Sequence, residues 1–130
     1  MKRFLLILAC LLCCFAADAQ ERYKAYCSIM GEQAVGSNAV SDVRIDYGQE
    51  NQRRNYLVDE AGKRIDFPTM VAAMNYMAKR GWALEQTYVV RKESTIDNNH
   101  DRDVVVWILC KEVESDDEIL EGLATGRTYK

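Results

Sequence analysis

Between Pro68 and Val90 the hydrophobic period of the chain changes once, from helical to strand-like, across a single glycine. That stretch, PTMVAAMNYMAKRGWALEQTYVV, restricts the fold more than any other. Pro68 has its φ fixed near the helical value and lacks the N–H that a first turn leaves unpaired. Either Phe67 or Thr69 stands at the N-cap, and Thr69 has the hydroxyl to cap with. Met70, Ala73, Met74 and Met77 recur at helical spacing, and Val71 and Ala78 widen the stripe. Lys79 and Arg80 are expected in the last turn, where the helix dipole favours cations. Gly81 ends the helix by adopting a left-handed conformation. Beyond it Trp82, Leu84, Gln86, Tyr88 and Val90 alternate with Ala83, Glu85, Thr87, Val89 and Arg91, which is the period of a strand.

Upstream, residues 1–19 have the build of a secretory signal peptide. Lys2 and Arg3 precede an unbroken apolar run from Phe4 to Phe15, too short to span a bilayer, and Ala17-Asp18-Ala19 offers small residues for cleavage before Gln20. Lipid attachment at Cys10 is the alternative, although Ile7-Leu8-Ala9 fits such a site poorly. The expected location is therefore periplasmic or extracellular. The formal charge of the whole chain is −3, and losing Lys2, Arg3 and Asp18 with the leader makes the remainder one unit more negative. That balance argues against nucleic acid and anionic membrane surfaces as partners. No later apolar run is long enough to cross a membrane.

Export also removes Cys10, Cys13 and Cys14, leaving Cys27 and Cys110. An even number in an oxidising compartment permits a disulfide if the first and last strands are neighbours in a compatible register. The alternative is two small apolar side chains. Tyr23–Met30 reads as a first strand with apolar groups on both faces, suited to the interior of a sheet. Val40–Tyr47 reads as a second, with one face wet. Tyr56–Val58 and Lys63–Ile65 look like the arms of a small hairpin around Asp59-Glu60-Ala61-Gly62. Val104–Val113 is the last strand. It is apolar on both faces, with Val104, Val106, Ile108 and Cys110 on one and Val105, Trp107 and Leu109 on the other. With one long helix available, either the tail or a second copy must cover the second face. Residues 114–130 form an acidic tail in which Ser115 and Glu118 have the spacing of a capping box. Ile119, Leu120 and Leu123 could dock, and the end from Gly126 is expected to fray.

Signals for chemistry are sparse. Asp97, Asn99, Asp101 and Asp103 alternate as in a calcium loop, but Arg102 stands where the sharp-turn glycine belongs and Ile108 where the closing glutamate belongs. The single histidine, His100, lies in the same polar loop, too few ligands for zinc. Arg53 and Arg54 could mark an anion site, but adjacent arginines in a solvated loop are usually surface. Glu85 and Asp46 are conceivable general acids without any recognisable nucleophile–base context. No catalytic residue, cofactor or metal is therefore expected. The readings that remain are an interaction module, binding an envelope protein or itself, and a small-ligand protein that uses Tyr76, Trp82, Tyr88 and Trp107. Trp82, Tyr88 and Trp107 are the candidates for an interface or pocket. A hydrolytic enzyme comes last.

The segments YCSIMGE, DYGQ, LVDEAGK, FPTM, AAMNYM, GWALEQTYVV and CKEV together resemble a group of small exported proteins of unknown function from Bacteroides-type bacteria. The helix–Gly–Trp–strand part is also similar to a broader family of very small bacterial domains with a GWEL-type element, from which Ala83 departs. The resemblance implies export and a small α+β domain, and it transfers no activity. The expected fold is α+β: one domain over residues 20–113, with a mostly antiparallel sheet of four main strands, one helix on one face, and the order β-β-(β-β)-α-β-β.

Overall fold

The computed structural model describes residues 21–92 and 102–129. The expected signal peptide with its expected cleavage point and three cysteines, His100, and the calcium-like positions Asp97, Asn99 and Asp101 lie outside the described residues. Four strands form one antiparallel sheet: β1 (Tyr23–Ala34), β2 (Val40–Asp46), β3 (Ala83–Lys92) and β4 (Arg102–Val113), in the spatial order β2-β1-β4-β3. The one α-helix, α1 (Met70–Ala78), lies in sequence between β2 and β3. The fold is thus α+β and mostly antiparallel sheet, as the pattern implied, but the chain order is β-β-α-β-β. The expected minor hairpin is reduced to single bridges, Val58 with Arg64 and Leu57 with Thr125. The two arms do meet around the turn, Asp59 donating to the Lys63 carbonyl at 2.8 Å and Ile65 to the Leu57 carbonyl at 2.9 Å, and the first arm also pairs with the tail, Val58 donating to the Ala124 carbonyl at 2.9 Å.

Thr69 is the N-cap, and its hydroxyl accepts the Ala72 N–H at 3.1 Å. Gly81, at φ +88°, ends the helix and turns the chain into β3. The helix closes at Ala78, so Lys79 is its C-cap and Arg80 lies beyond the last turn. Arg80 still serves the helix end by donating to the Tyr76 carbonyl at 2.7 Å. Met70, Ala73 and Met77 are buried as their spacing predicts. Val71 and Ala78 are exposed, and the stripe widens instead toward the half-buried Ala72 and Tyr76. Tyr76 is held by an edge-on contact with Phe67, the ring centroids 5.4 Å apart, and by the Arg80 guanidinium 3.5 Å above its ring.

One core lies on one face of the sheet. Ala25, Cys27 and Ile29 of β1, Val43 and Ile45 of β2, and Val105, Leu109 and Val113 of β4 point into it. Met70, Ala73 and Met77 of α1, with Trp82 and Leu57, close it. Gly31 lets the helix start sit close, since a Cβ there would meet the Met70 sulfur at 3.0 Å. The tail joins this same core rather than the opposite face: Leu123 is buried, and Ile119 and Leu120 pack against the cluster. Asp116–Leu120 is a 3₁₀ turn, and Ser115 makes no side-chain capping bond, so the capping box does not form. Nor does the tail fray through Tyr129. Gly126 donates to the Tyr56 carbonyl, Tyr129 to the Thr125 carbonyl, and Thr125 is 1% exposed.

Candidate functional site

The ladder register sorts every strand residue onto one of two faces. Cys27, Ile29 and Gly31 stand opposite Leu109, Trp107 and Val105 on the covered face. Tyr26, Ser28 and Met30 stand opposite Cys110, Ile108 and Val106 on the other. Cys27 and Cys110 thus occupy adjacent strands but opposite faces, and both are free thiols. The disulfide permitted by the sequence is not made, because the register is one residue out of step for it. Burial pushes the Cys27 thiol up to about 12. Cys110 is also raised, first by its 3.2 Å hydrogen bond to the Glu85 carboxylate.

The outer face carries Tyr26 and Met30 of β1, Val104, Val106 and Ile108 of β4, and Tyr88 and Val90 of β3, with Val106 at its centre buried by its neighbours at 6% exposure. None of these belongs to the core cluster. Tyr26, Tyr88 and Val90 are each about half exposed, at 52%, 46% and 51%. Charges border the strip. Lys24 stands opposite Glu112 at one end, and Glu32 meets Lys92 and Arg102, at 3.9 and 3.5 Å, at the other. An apolar strip with a charged rim is the surface pattern of an interaction site.

The same face runs out to β3, and β3 is exposed at all ten of its positions. It is an edge strand that pairs only with β4. Among the described residues, the backbone from Ala83 to Val90 makes no hydrogen bond outside that ladder. A bulge places Glu85 as an extra residue between Leu84 and Gln86. That bulge inverts the phase read from the sequence: Leu84 aligns with Leu109 on the covered face, while Gln86, Tyr88 and Val90 align with Ile108, Val106 and Val104 on the open one. From Gln86 to Val90 there is no charge, proline or bulge to blunt the edge.

The three aromatic candidates are not brought together. Trp82 is core, 2% exposed, and its indole N–H has no hydrogen-bond partner. Trp107 packs against the same core from the covered face. Tyr88 alone lies on the open face; beside it β4 contributes the part-buried Val104 and Ile108, while Val106 between them is buried at 6% exposure. Tyr76 lines a separate cavity of about 450 Å³ with Arg80, Leu123 and Tyr129. Asp103 pairs with Arg91 at 3.1 Å, and Ile108 faces outward from the sheet. Among the described residues no three His, Cys, Asp or Glu side chains converge as metal ligands, and no helix is long and apolar enough to cross a membrane. The open edge was missed because alternation in β3 reads the same for a covered strand as for a bare one. No protein-family model, curated protein or solved structure matches the chain.

Proposed function

We propose that the protein is an exported, non-catalytic interaction module of the periplasm or cell surface, akin to the small Bacteroides-type exported proteins its motifs resemble, and that its partner is a second copy of itself paired along β3. The carrying observation is the β3 edge, solvent-exposed and paired on one side only from Gln86 to Val90 among the described residues, and continuous with the outer apolar face. Pairing supplies partners for the outward N–H and C=O groups of the edge, and it extends one apolar face across both copies.

The strand's own symmetry favours a copy as occupant. Outward-pointing backbone groups alternate along a strand, so two copies can pair antiparallel only between residues of like parity, and the two-fold axis falls on a residue. An axis at Tyr88 sets Thr87 across from Val89 and Gln86 across from Val90. Export follows from the leader sequence, and the absence of a nucleophile–base constellation supports a binding role.

The test is sedimentation of the mature chain over a concentration series, alone and as Tyr88→Lys, which opposes two cations at the axis. A concentration-dependent dimer that Tyr88→Lys dissociates supports the reading. A wild-type chain that stays monomeric at the highest concentration overturns self-pairing. An envelope protein that then binds through β3 would take the second copy's place as partner.

A further inference from the structure

A second concavity, at the opposite edge of the sheet, has a different chemistry. It has a volume of about 420 Å³, and its lining includes Arg44, Arg53, Arg54 and Arg64 with Asp42 and Tyr56. Four guanidinium groups thus border one hollow in a chain whose net charge is negative. Asp42 is the one carboxylate among the lining residues. It is shared by Arg44 at 2.6 Å and Arg64 at 2.7 Å, so it offsets one of the four positive charges. The Arg64 guanidinium is steered by stacking 5.0 Å from the Tyr56 ring. No protein partner is recorded for the guanidinium groups of Arg53 and Arg54 among the described residues.

Adjacent arginines ordinarily diverge. Here Arg54 takes a left-handed conformation, φ +56°, and both Arg53 and Arg54 reach the lining of the same hollow. Asp42, at φ +51°, is the only other non-glycine residue in that region among the described residues, and it also lines the hollow. Asn51 fixes the loop, accepting the Arg53 N–H at 2.8 Å through its side chain and the Arg127 guanidinium at 3.0 Å through its carbonyl. Each guanidinium presents a planar fork of N–H donors that matches a tetrahedral oxyanion in pairs.

We infer that this hollow binds a phosphate or sulfate group carried on a small polar molecule. Three positive charges in excess and several guanidinium forks favour an oxyanion with three terminal oxygens over a single carboxylate, and favour a phosphate ester, with nearly two negative charges at neutral pH, over a sulfate ester with one. The volume leaves room for a body about the size of a sugar behind the anionic head. This inference does not depend on pairing along β3, since the hollow lies on the β2 side of the sheet.

The experiment is a heteronuclear NMR titration of the mature chain in low-chloride buffer. The four probes are inorganic phosphate, inorganic sulfate, glucose 6-phosphate and N-acetylglucosamine 6-sulfate. Saturable shifts of the backbone N–H signals of Asn51 to Tyr56, leaving β3 unmoved, are the expected result. The two esters tell a phosphate source from a sulfate source. Arg53→Ala combined with Arg54→Gly, a glycine that suits the left-handed backbone, should weaken binding at least about tenfold, while Lys79→Ala leaves it unchanged. No saturation with any of the four probes, or equal binding by the double variant, overturns the inference.

Discussion

The two edges of this sheet are finished in opposite ways. At β2 the chain closes its own edge: Val40 donates its N–H to the Pro68 carbonyl at 3.1 Å and Ile45 to the Asn55 carbonyl at 2.8 Å. A bulge between the pairs Met30–Arg44 and Glu32–Ser41 twists the strand, and Asp42 in that bulge is tied down by two arginines. β2 is also short, at seven residues. β3 is longer, exposed throughout, and guarded only at its ends by the Glu85 bulge and by Arg91 and Lys92. Among the described residues the chain thus closes one edge with its own loops and pairs β3 on one side only, and the proposed self-pairing along β3 rests on that contrast.

The largest expected effect separates the two edges by stability. Ile45 of β2 is fully buried, and Ile45→Ala should cost about 2–5 kcal/mol from lost transfer energy and the cavity left behind. Val90 of β3 is 51% exposed, and Val90→Ala should cost less than about 0.5 kcal/mol. Urea unfolding at a concentration where the chain is monomeric measures both. A loss at Val90 comparable with that at Ile45 would mean that β3 is covered within the monomer, and the contrast would disappear.

The next effect is on association. A lysine placed on an open edge disfavours pairing there, and one placed on a closed edge has nothing to disturb. Val89→Lys should therefore weaken self-association at least about tenfold, equivalent to about 1.4 kcal/mol, with the unfolding midpoint of the monomer little changed. Ser41→Lys in β2 should leave association as it was. Equal effects from the two variants in sedimentation would show that β3 is not the pairing edge.

How much of this could be read in advance depends on what each residue's neighbours are. The helix from Met70, the glycine stop at Gly81 and the four strands were legible because their periods are local properties of the chain. The α+β class and the mostly antiparallel sheet follow from them. The fate of Cys27 and Cys110 was not legible, because the distinction between a bridge and two thiols on opposite faces is one step of register. Nor was the Glu85 bulge, which turns Leu84 and Gln86 to different faces although they look equivalent in the sequence. The tail was expected to dock on the second face of β4, whereas Leu123 joins the core on the helix-covered face, a choice that depends on contacts distant in sequence. Arg53 and Arg54 read as ordinary surface because the residues that complete their hollow, Arg44 and Arg64, are distant in sequence and meet only when β2 folds against the segment that follows it.

The smallest effect concerns what holds the closed edge. The Asp42 carboxyl is held below its usual range, first by its hydrogen bond with Arg44 and then by Arg64. A group lowered in this way contributes stability that is fully present above the unfolded-state value, about 3.9, and lost as the pH falls through the lower folded-state value. Asp42→Asn is the informative substitution, since asparagine also tolerates the left-handed backbone at φ +51° and removes only the charge. All three side chains are part-exposed, so the loss near neutral pH should be no more than about 1 kcal/mol and should shrink in high salt. The gap between wild type and variant should be constant from neutral pH down to the unfolded-state value and should close below it. A gap that persists in strong acid would mean that the backbone at φ +51° or the side chain's packing, rather than the Asp42 charge, sets the difference between wild type and variant. Because Asp42 also offsets one of the arginine charges, the same variant should bind the oxyanion probes at least as tightly as wild type, which separates the edge-closing role of Asp42 from the anion-binding role of its neighbours.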